Sequence, residues 1–271
     1  MKNRITVCAV MALLFTPHIS NARAGLEFTG ESWKMDGKEF ITDMRAERAD
    51  AIGNGDDMTG KVTQGKMGGA AKFFLEGNSR FRLGISAGYG VMPTVSYKLM
   101  ETDNAGYTWN GDDTNKITYI PVDLYFKHTS ESGGFSLFGG GGADYVMAST
   151  DLNYKSEDTS SGYSFLGKGT LTQKKVMPHV QAGCEVFLAK WISINLSAKY
   201  LFSAILDNLT GHFTVNGVDQ GKHRLVMTDS PPYGQEISLD PTSAPLPTGD
   251  RPFKFDLSGL RANVGLKIYF K

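Results

Sequence analysis

The segment VMPHVQAGCEVFLAKWISINLSAKYLF (residues 176–202) decides the fold, because it contains two strict alternations of apolar and polar residues joined by a very short connection. Val180, Cys184 and Val186 share one face before the connection. Ile194 and Leu196 share one face after it. A repeat of two residues is the period of a β-strand. The segment therefore predicts two antiparallel strands with a turn at residues 189–190. Alone, it does not separate a barrel in lipid from a soluble sheet with one wet face.

The N-terminus has the parts of a secretory signal peptide. Lys2 and Arg4 precede an apolar run, and the tripeptide Ala-Arg-Ala that ends at Ala24 is a small-residue cleavage site. We therefore predict a signal peptide at residues 1–24, followed by one domain at residues 25–271. No later run approaches the roughly 18 apolar residues of a transmembrane helix, so we predict none in the mature chain.

Charge and cysteine content exclude several classes of protein. Without its first 24 residues the chain keeps 25 basic and 28 acidic residues, a net charge of −3. Such a balance predicts no nucleic-acid surface. One cysteine, Cys184, would remain in the mature chain, so we predict no internal disulfide.

Further segments show the same alternation and are separated by stretches rich in Gly, Asn, Asp and Pro. We predict strands at residues 61–76, 80–91, 116–128, 135–154, 176–188, 192–202 and 253–270, with a first strand inside residues 25–50. Short connections (77–79, 130–134 and 189–190) alternate with long ones (46–60, 100–115, 151–170 and 207–252). The last long connection holds six of the ten prolines, and Asn216-Gly217 in it favours a small hairpin.

Seven connections imply eight strands, with every short turn at one end of the sheet and every long loop at the other. Bacterial outer-membrane barrels have this asymmetry. We therefore predict an all-β fold, an eight-stranded antiparallel up-and-down transmembrane β-barrel with short periplasmic turns and long extracellular loops.

Aromatic residues cluster beside the predicted short turns, as expected for rings at a membrane interface. We predict an interfacial aromatic belt formed by Phe73, Phe81, Phe126, Phe135, Phe187, Trp191 and Phe270.

The chain resembles the small eight-stranded outer-membrane barrels of Gram-negative bacteria, of the OmpW, OmpX and opacity-protein kind. The resemblance rests on PHVQAGCEVFLAKWISINLSAKYLF, IPVDLYF, FGGGGADYV and the closing GLRANVGLKIYF. It implies a location in the cell outer membrane after cleavage near Ala24, with outer-membrane lipid and the barrel-assembly machinery as partners. An aromatic residue usually ends such chains, whereas Lys271 follows Phe270 here.

If the apolar faces contact lipid, the opposite faces form a polar interior that an eight-stranded barrel can fill with side chains. The predicted polar network consists of Arg80, Arg82, Asp123, Lys127, Asp144, His179, Glu185, Lys199, Arg261 and Lys267. Opposite charges confined there must pair, because an unpaired buried charge costs several kcal/mol. Two interpretations stay open, a salt-bridged packing network and a narrow path for a small solute.

The sequence predicts no enzyme, catalytic residue, metal site or cofactor. His128 and Ser130 lack a third orienting group, and the acidic pairs in the long loops have no diagnostic metal spacing. We predict a structural or surface-interaction role, with host or envelope molecules as partners at the extracellular loops. The alternatives are porin-like passage of small, including hydrophobic, molecules, a soluble lipocalin-like binder and a lipid-modifying barrel enzyme. The lipocalin-like alternative requires apolar faces inside and charged faces outside.

Overall fold

The computed structural model describes residues 22–33, 37–77, 80–103, 106–230 and 234–270. This part of the chain is antiparallel β-sheet with one α-helix, α1 (Lys38–Asn54). Its sixteen strands are β1 (Arg23–Ser32), β2 (Asp57–Gln64), β3 (Met67–Glu76), β4 (Phe81–Val91), β5 (Val95–Thr102), β6 (Tyr107–Thr129), β7 (Phe135–Asp158), β8 (Tyr163–Ala189), β9 (Ile192–Leu201), β10 (Ile205–Leu206), β11 (Thr210–Val215), β12 (Val218–Ser230), β13 (Gly234–Pro241), β14 (Arg251–Pro252), β15 (Phe255–Asp256) and β16 (Gly259–Tyr269).

Eight of these strands hydrogen-bond to one another in a closed ring, which is consistent with a β-barrel. The order is β1, β3, β4, β6, β7, β8, β9 and β16, and β16 pairs back onto β1. Every neighbouring pair is antiparallel. The prediction of eight strands was wrong for the described chain as a whole, which has sixteen. Four of the other eight strands, β11 to β14, lie in the segment 207–252 that was predicted as a loop.

The hairpin of residues 176–202 forms the end of β8 and all of β9, and its register pairs Glu185 with Asn195. Val180 and Leu196 are 48% and 46% exposed, whereas Glu185 is fully buried. The apolar face therefore points out of the ring and the polar face points in. The turn lies at residues 190–191, slightly later than predicted, because a bulge adds a residue near the end of β8.

The glycine run at residues 139–142 lies where β7 runs against β6. A Cβ on Gly140 would lie 2.1 Å from the carbonyl oxygen of Leu124, and one on Gly142 would lie 2.0 Å from that of Val122. Any side chain there would separate the strands. Glycine, which weakens a strand by propensity, is required at these positions by the close approach of two backbones.

Three ring strands continue far beyond the ring. β6, β7 and β8 contain 23, 24 and 27 residues, whereas the other ring strands contain 10 or 11. There β5 and β2 add to the edge of β6, while β11, β12 and β13 add to the edge of β8. We call this part the extension. It comprises α1, β2, β5, β10 to β15, and residues 107–115 and 150–171 of the long strands.

The region predicted to hold the first strand contains both a strand and a helix. β1 begins at Arg23, and Phe40 and Met44 lie in α1 rather than in a strand. Their separation of four residues fits a helix as well as a strand, and so short an apolar pattern cannot distinguish the two. Gly55, at a φ of 87°, ends the helix in the left-handed region.

The long predicted loops are mostly paired strands. Residues 151–170 form a β-hairpin, because β7 and β8 pair as far as Asp158 and Tyr163. Residues 207–252 contain β11 to β14, with the predicted hairpin at Asn216-Gly217, where both φ angles are positive. The strands β11 to β13 add in succession to the edge of β8. Such pairing through backbone hydrogen bonds imposes little apolar periodicity on the sequence. The sequence pattern therefore did not reveal them.

An apolar core fills the extension and its junction with the ring. Phe40 of α1 is fully buried, with its ring centroid 5.1 Å from Phe253 and 6.0 Å from Tyr97. Met177 and Leu201 close the end of the ring beneath it, and both are fully buried. This core joins the extension to the ring.

Most of the predicted signal peptide, residues 1–21, lies outside the described residues. Arg23 and Ala24 lie in β1, where they pair with Glu76 and Leu75. Cleavage near Ala24 stays a prediction. Among the described residues, no helix has the length and apolarity needed to cross a membrane.

Candidate functional site

The ring interior is a buried polar core formed by the inward faces of all eight ring strands. Within the described residues it holds six acidic and six basic side chains, together with His179: Glu27, Glu31, Glu76, Asp123, Asp144, Glu185, Lys72, Arg82, Lys127, Lys199, Arg261 and Lys267. Each is at most 8% exposed. With a neutral histidine, the formal charges of these groups sum to zero.

One cluster of charges lies toward the short turns. Lys127 Nζ lies 2.9 Å from Glu76 Oε2 and 2.6 Å from Glu185 Oε2. It also donates a hydrogen bond of 2.6 Å to the Tyr269 hydroxyl, which donates in turn to Glu185. Lys267 Nζ lies 3.6 Å from Glu76 and 3.7 Å from Glu185. Two lysines and two carboxylates therefore neutralise one another.

A second cluster lies nearer the extension and is centred on His179. Its Nε2 lies 2.8 Å from Asp123 and its Nδ1 lies 3.2 Å from Asp144. Lys72 pairs with Asp123 at 3.0 Å, and Lys199 pairs with Asp144 at 2.7 Å. The histidine thus bridges two salt bridges that come from four different strands.

Aromatic side chains close the interior at both ends. Toward the extension, the guanidinium of Arg261 lies 3.0 Å from the ring centroid of Trp33, and Tyr119 is fully buried. Toward the short turns, Phe74 packs edge-on against Tyr269 with ring centroids 5.0 Å apart. A small cavity between the two clusters has a volume of about 10 Å³. A cavity of that size holds about one water molecule.

Nine of the ten predicted network residues lie in this interior, and Arg80 does not. Its side chain is 53% exposed and pairs with Glu131 at 3.0 Å. Arg80 precedes the first residue of β4, so the alternation that places Arg82 inside does not extend to it. The inclusion of Arg80 was wrong for this reason.

One residue of the predicted aromatic belt also lies on the other face. Phe187 points inward, with its ring centroid 5.7 Å from that of Tyr269 and 5.3 Å from Lys127 Nζ. Phe187 lies two residues after the buried Glu185 in β8, so both side chains lie on the same face of the strand. The other six lie on the outer surface with 40–72% exposure: Phe73, Phe81, Phe126, Phe135, Trp191 and Phe270.

The sequence prediction missed two carboxylates that complete the charge balance, Glu27 and Glu31. The ten-residue network also lacks Lys72 and Glu76, although both lie on the polar face of the strand predicted at residues 61–76. Glu27 accepts a hydrogen bond of 2.7 Å from Asn195, and Glu31 lies 3.9 Å from Arg261. Their alternation with Leu26 and Phe28 was a usable signal. It was missed because the predicted signal peptide and the helix obscured the bounds of β1.

Comparisons with known proteins do not assign the chain to a family. No family model matches the sequence, and no curated protein matches it. The crystal structure of Acinetobacter baumannii CarO is similar at 15% sequence identity and a TM-score of 0.30. The match covers 79% of this chain and 96% of that chain. Likeness at this level carries no argument about function.

Proposed function

We propose that this chain is an integral outer-membrane β-barrel protein with a closed interior, whose extension is a surface-interaction module outside the cell. The ring spans the lipid. The charged interior holds the barrel together, and the extension carries the contacts with other molecules.

The observation that carries this proposal is the composition of the outer face of the ring. In the described strands, outward positions at residues 24–30, 67–75, 81–91, 118–128, 135–147, 176–188, 192–200 and 260–268 include no Asp, Glu, Lys or Arg. Apolar residues at these positions are widely exposed, for example Val264 at 58% and Val176 at 61%. Soluble monomers rarely expose contiguous apolar patches beyond a few hundred Å². A lipocalin-like soluble barrel would need the opposite arrangement.

The edges of this apolar belt match the edges of a membrane. Toward the extension, the first outward charges on β6 and β8 are Lys116 and Lys174, both exposed. Toward the short turns, Trp191 and Phe270 are about half exposed. Between these limits the shorter ring strands have 10 or 11 residues. About 9 to 11 residues is the length of a transmembrane β-strand.

The connections support the orientation. β1 begins and β16 ends beside the short turns, and the extension lies at the opposite end of the ring. Outer-membrane barrels keep short turns in the periplasm and long connections outside the cell. The extension would then face the surroundings.

The filled interior favours a structural and surface role over passage. A solute path requires space, and the charges are instead paired with one another around a cavity of about 10 Å³. Loops and appended elements on a rigid scaffold are common places for binding.

Protease accessibility tests the orientation. A specific protease site would be inserted in the exposed segment 242–249 of the extension, and a matched site in the exposed short turn 131–133. In intact Gram-negative cells we expect cleavage of the first variant only, and cleavage of the second after the outer membrane is permeabilised. Cleavage of the turn variant in intact cells, or recovery of the chain in the soluble periplasmic fraction, would contradict the proposal.

A further inference from the structure

A cavity of about 290 Å³ lies inside the extension, separate from the ring interior. Residues of α1, β5, β6, β7, β8, β11 and β13 line it. Several lining residues, among them Glu47, Trp109 and Tyr154, are only half-buried, so the cavity is accessible from solvent. Its volume is at the lower end of the range for small-molecule sites, roughly 300 to 1,000 Å³.

Three carboxyl groups line this cavity, and in the described residues none of them forms an ion pair. Asp43 accepts hydrogen bonds from the Tyr97 hydroxyl and the Ile237 amide. Asp113 Oδ2 accepts a hydrogen bond of 3.2 Å from the Tyr154 hydroxyl. Asp113 Oδ1 has no hydrogen-bond partner, although the residue is only 1% exposed. A buried acceptor left without a hydrogen-bond partner is costly, so we expect a ligand or an ordered water to satisfy it.

Among the described residues, no basic group compensates the charge of these carboxyl groups. Burial raises the pKa of Asp113 to about 7, and burial also raises the pKa of Asp43 to about 7. Burial, followed by the charge of Asp43, raises the pKa of Glu47 to about 8. No basic group contributes to any of the three shifts. A cation in the cavity would supply the missing charge.

Aromatic rings form the wall beside Asp113. Trp109 stacks on Tyr154 with centroids 6.1 Å apart and an angle of 19°, and Tyr154 lies 6.2 Å from Phe213. Gly111, between Trp109 and Asp113 on the same face of β6, permits this arrangement, since a Cβ there would lie 2.4 Å from the Trp109 ring. Aromatic rings attract cations through their negative faces.

We propose that this cavity binds a small organic amine in its protonated form, with the ammonium group donating to Asp113 Oδ1 and the apolar part lying against Trp109, Tyr154 and Phe213. The unpartnered acceptor requires an N–H or O–H donor, and the carboxylate charges without an ion pair in the described residues favour a cationic one. It disfavours ligands that also carry a carboxylate, because Asp43 and Glu47 lie in the same cavity.

Three probes with the same phenethyl skeleton separate these requirements. Phenethylamine carries the aryl group and the ammonium, 2-phenylethanol replaces the ammonium with a neutral hydroxyl, and phenylalanine adds a carboxylate. Isothermal titration calorimetry of the full chain in detergent micelles, at pH 8, measures each affinity. We expect saturable binding of phenethylamine, with the other two weaker by about tenfold or more, which is about 1.4 kcal/mol.

Neighbouring aspartates provide a matched pair of variants. Asp113→Asn removes the charge but keeps the shape, and we expect it to weaken phenethylamine by about tenfold or more. Asp112→Asn is the control, because Asp112 lies on the other face of β6 and pairs with Lys98 at 2.8 Å. We expect it to leave the affinity unchanged. Trp109→Leu, which removes the largest ring, should also weaken phenethylamine and is an independent test if Asp113→Asn fails to fold.

Several results would overturn the site. They are absence of phenethylamine binding to the unaltered chain, equal affinity for 2-phenylethanol or phenylalanine, or an unchanged affinity in folded Asp113→Asn. If Asp113→Asn does not fold, an unchanged affinity in Trp109→Leu would overturn it as well. Binding is measured on the purified protein and does not depend on membrane orientation. The protease experiment can therefore fail without affecting this test, and the reverse also holds.

Discussion

An arginine on the outer face of the ring should be far more costly than the same arginine on the outer face of the extension. Val264 lies at the centre of β16 and is 58% exposed, beside the outward-facing Leu196 of β9. Val218 lies at the start of β12 in the extension and is 63% exposed. The two valines have the same side chain, the same strand conformation and nearly the same exposure. Val264→Arg and Val218→Arg therefore differ in the medium that surrounds the side chain.

The expected magnitudes follow from that medium. An arginine at the midplane of a bilayer on the lipid face of a barrel costs about 2 to 4 kcal/mol, and the cost falls to about 0 to 1 kcal/mol near the interface. In water, an exposed substitution that breaks no contact changes stability by about 0.5 kcal/mol or less. Val264→Arg should therefore lower the folding equilibrium constant by roughly thirty-fold to nearly a thousand-fold. Val218→Arg should leave it almost unchanged.

Reversible urea unfolding of the full chain in phospholipid vesicles measures both values, with tryptophan fluorescence as the signal. The m-value must stay constant for the change in midpoint to report stability. Equal stability of the two variants would refute the assignment of the ring surface to lipid. A large loss of stability in Val218→Arg alone would indicate that lipid surrounds the extension instead of the ring.

Three further outcomes are expected. Lys127→Met should destabilise the chain by about 3 to 5 kcal/mol in the same unfolding assay, because it leaves Glu76 and Glu185 short of positive charge, and addition of Glu76→Gln should recover part of the loss. In planar lipid bilayers the protein should give no channel events, and discrete conductance steps would contradict the closed interior. The extension should lose stability as pH rises from about 4 to about 7, because the pKa values of Asp43 and Asp113 are raised from 3.8 to about 7 and the folded state therefore binds protons more tightly than the unfolded state. Hydrogen exchange, corrected for the pH dependence of the intrinsic exchange rate, should show that opening of the extension becomes more frequent as pH rises, whereas opening of the ring does not. Opening of the extension that does not change with pH would contradict the buried, unpaired carboxyl groups.

The ring could be predicted from the sequence because its strands have two faces with opposite requirements. Successive residues of a ring strand point alternately to the apolar outer face and to the packed polar interior, so the alternation of Val180 with Gln181 and of Leu196 with Asn195 is strict. The same constraint identified nine interior network residues before the structure. The method failed where the strand ended, at Arg80, because no neighbouring strand then imposes a face on the side chain.

The extension could not be predicted in this way. Its strands are surrounded by water, other strands and a helix in different combinations along their length, so no single period describes them. β8 shows this difference along its own length. Apolar and polar residues alternate strictly in its ring segment, residues 176–188, whereas Gly167 and Gly169 in its extension segment pack against Phe213. Asp113 and Trp109 come together with α1 through long-range contacts that leave no local signature. Their place in one cavity was visible only in the structure.

Charge balance distinguishes the two polar regions and indicates where binding occurs. In the ring interior each carboxylate has a basic neighbour, Lys127 between Glu76 and Glu185 being the clearest example, so a ligand would have to displace an ion pair. Breaking a buried pair costs about 3 to 5 kcal/mol, which would be subtracted from the affinity of any ligand that does so. Carboxylate oxygens without a hydrogen-bond partner occur in both regions, for example in Glu31 and Asp113, but Glu31 lies 3.9 Å from Arg261. Asp113 forms no ion pair in the described residues, so a ligand would satisfy its Oδ1 without breaking one. This difference in charge balance supports the proposed amine site in the extension rather than a site in the ring interior.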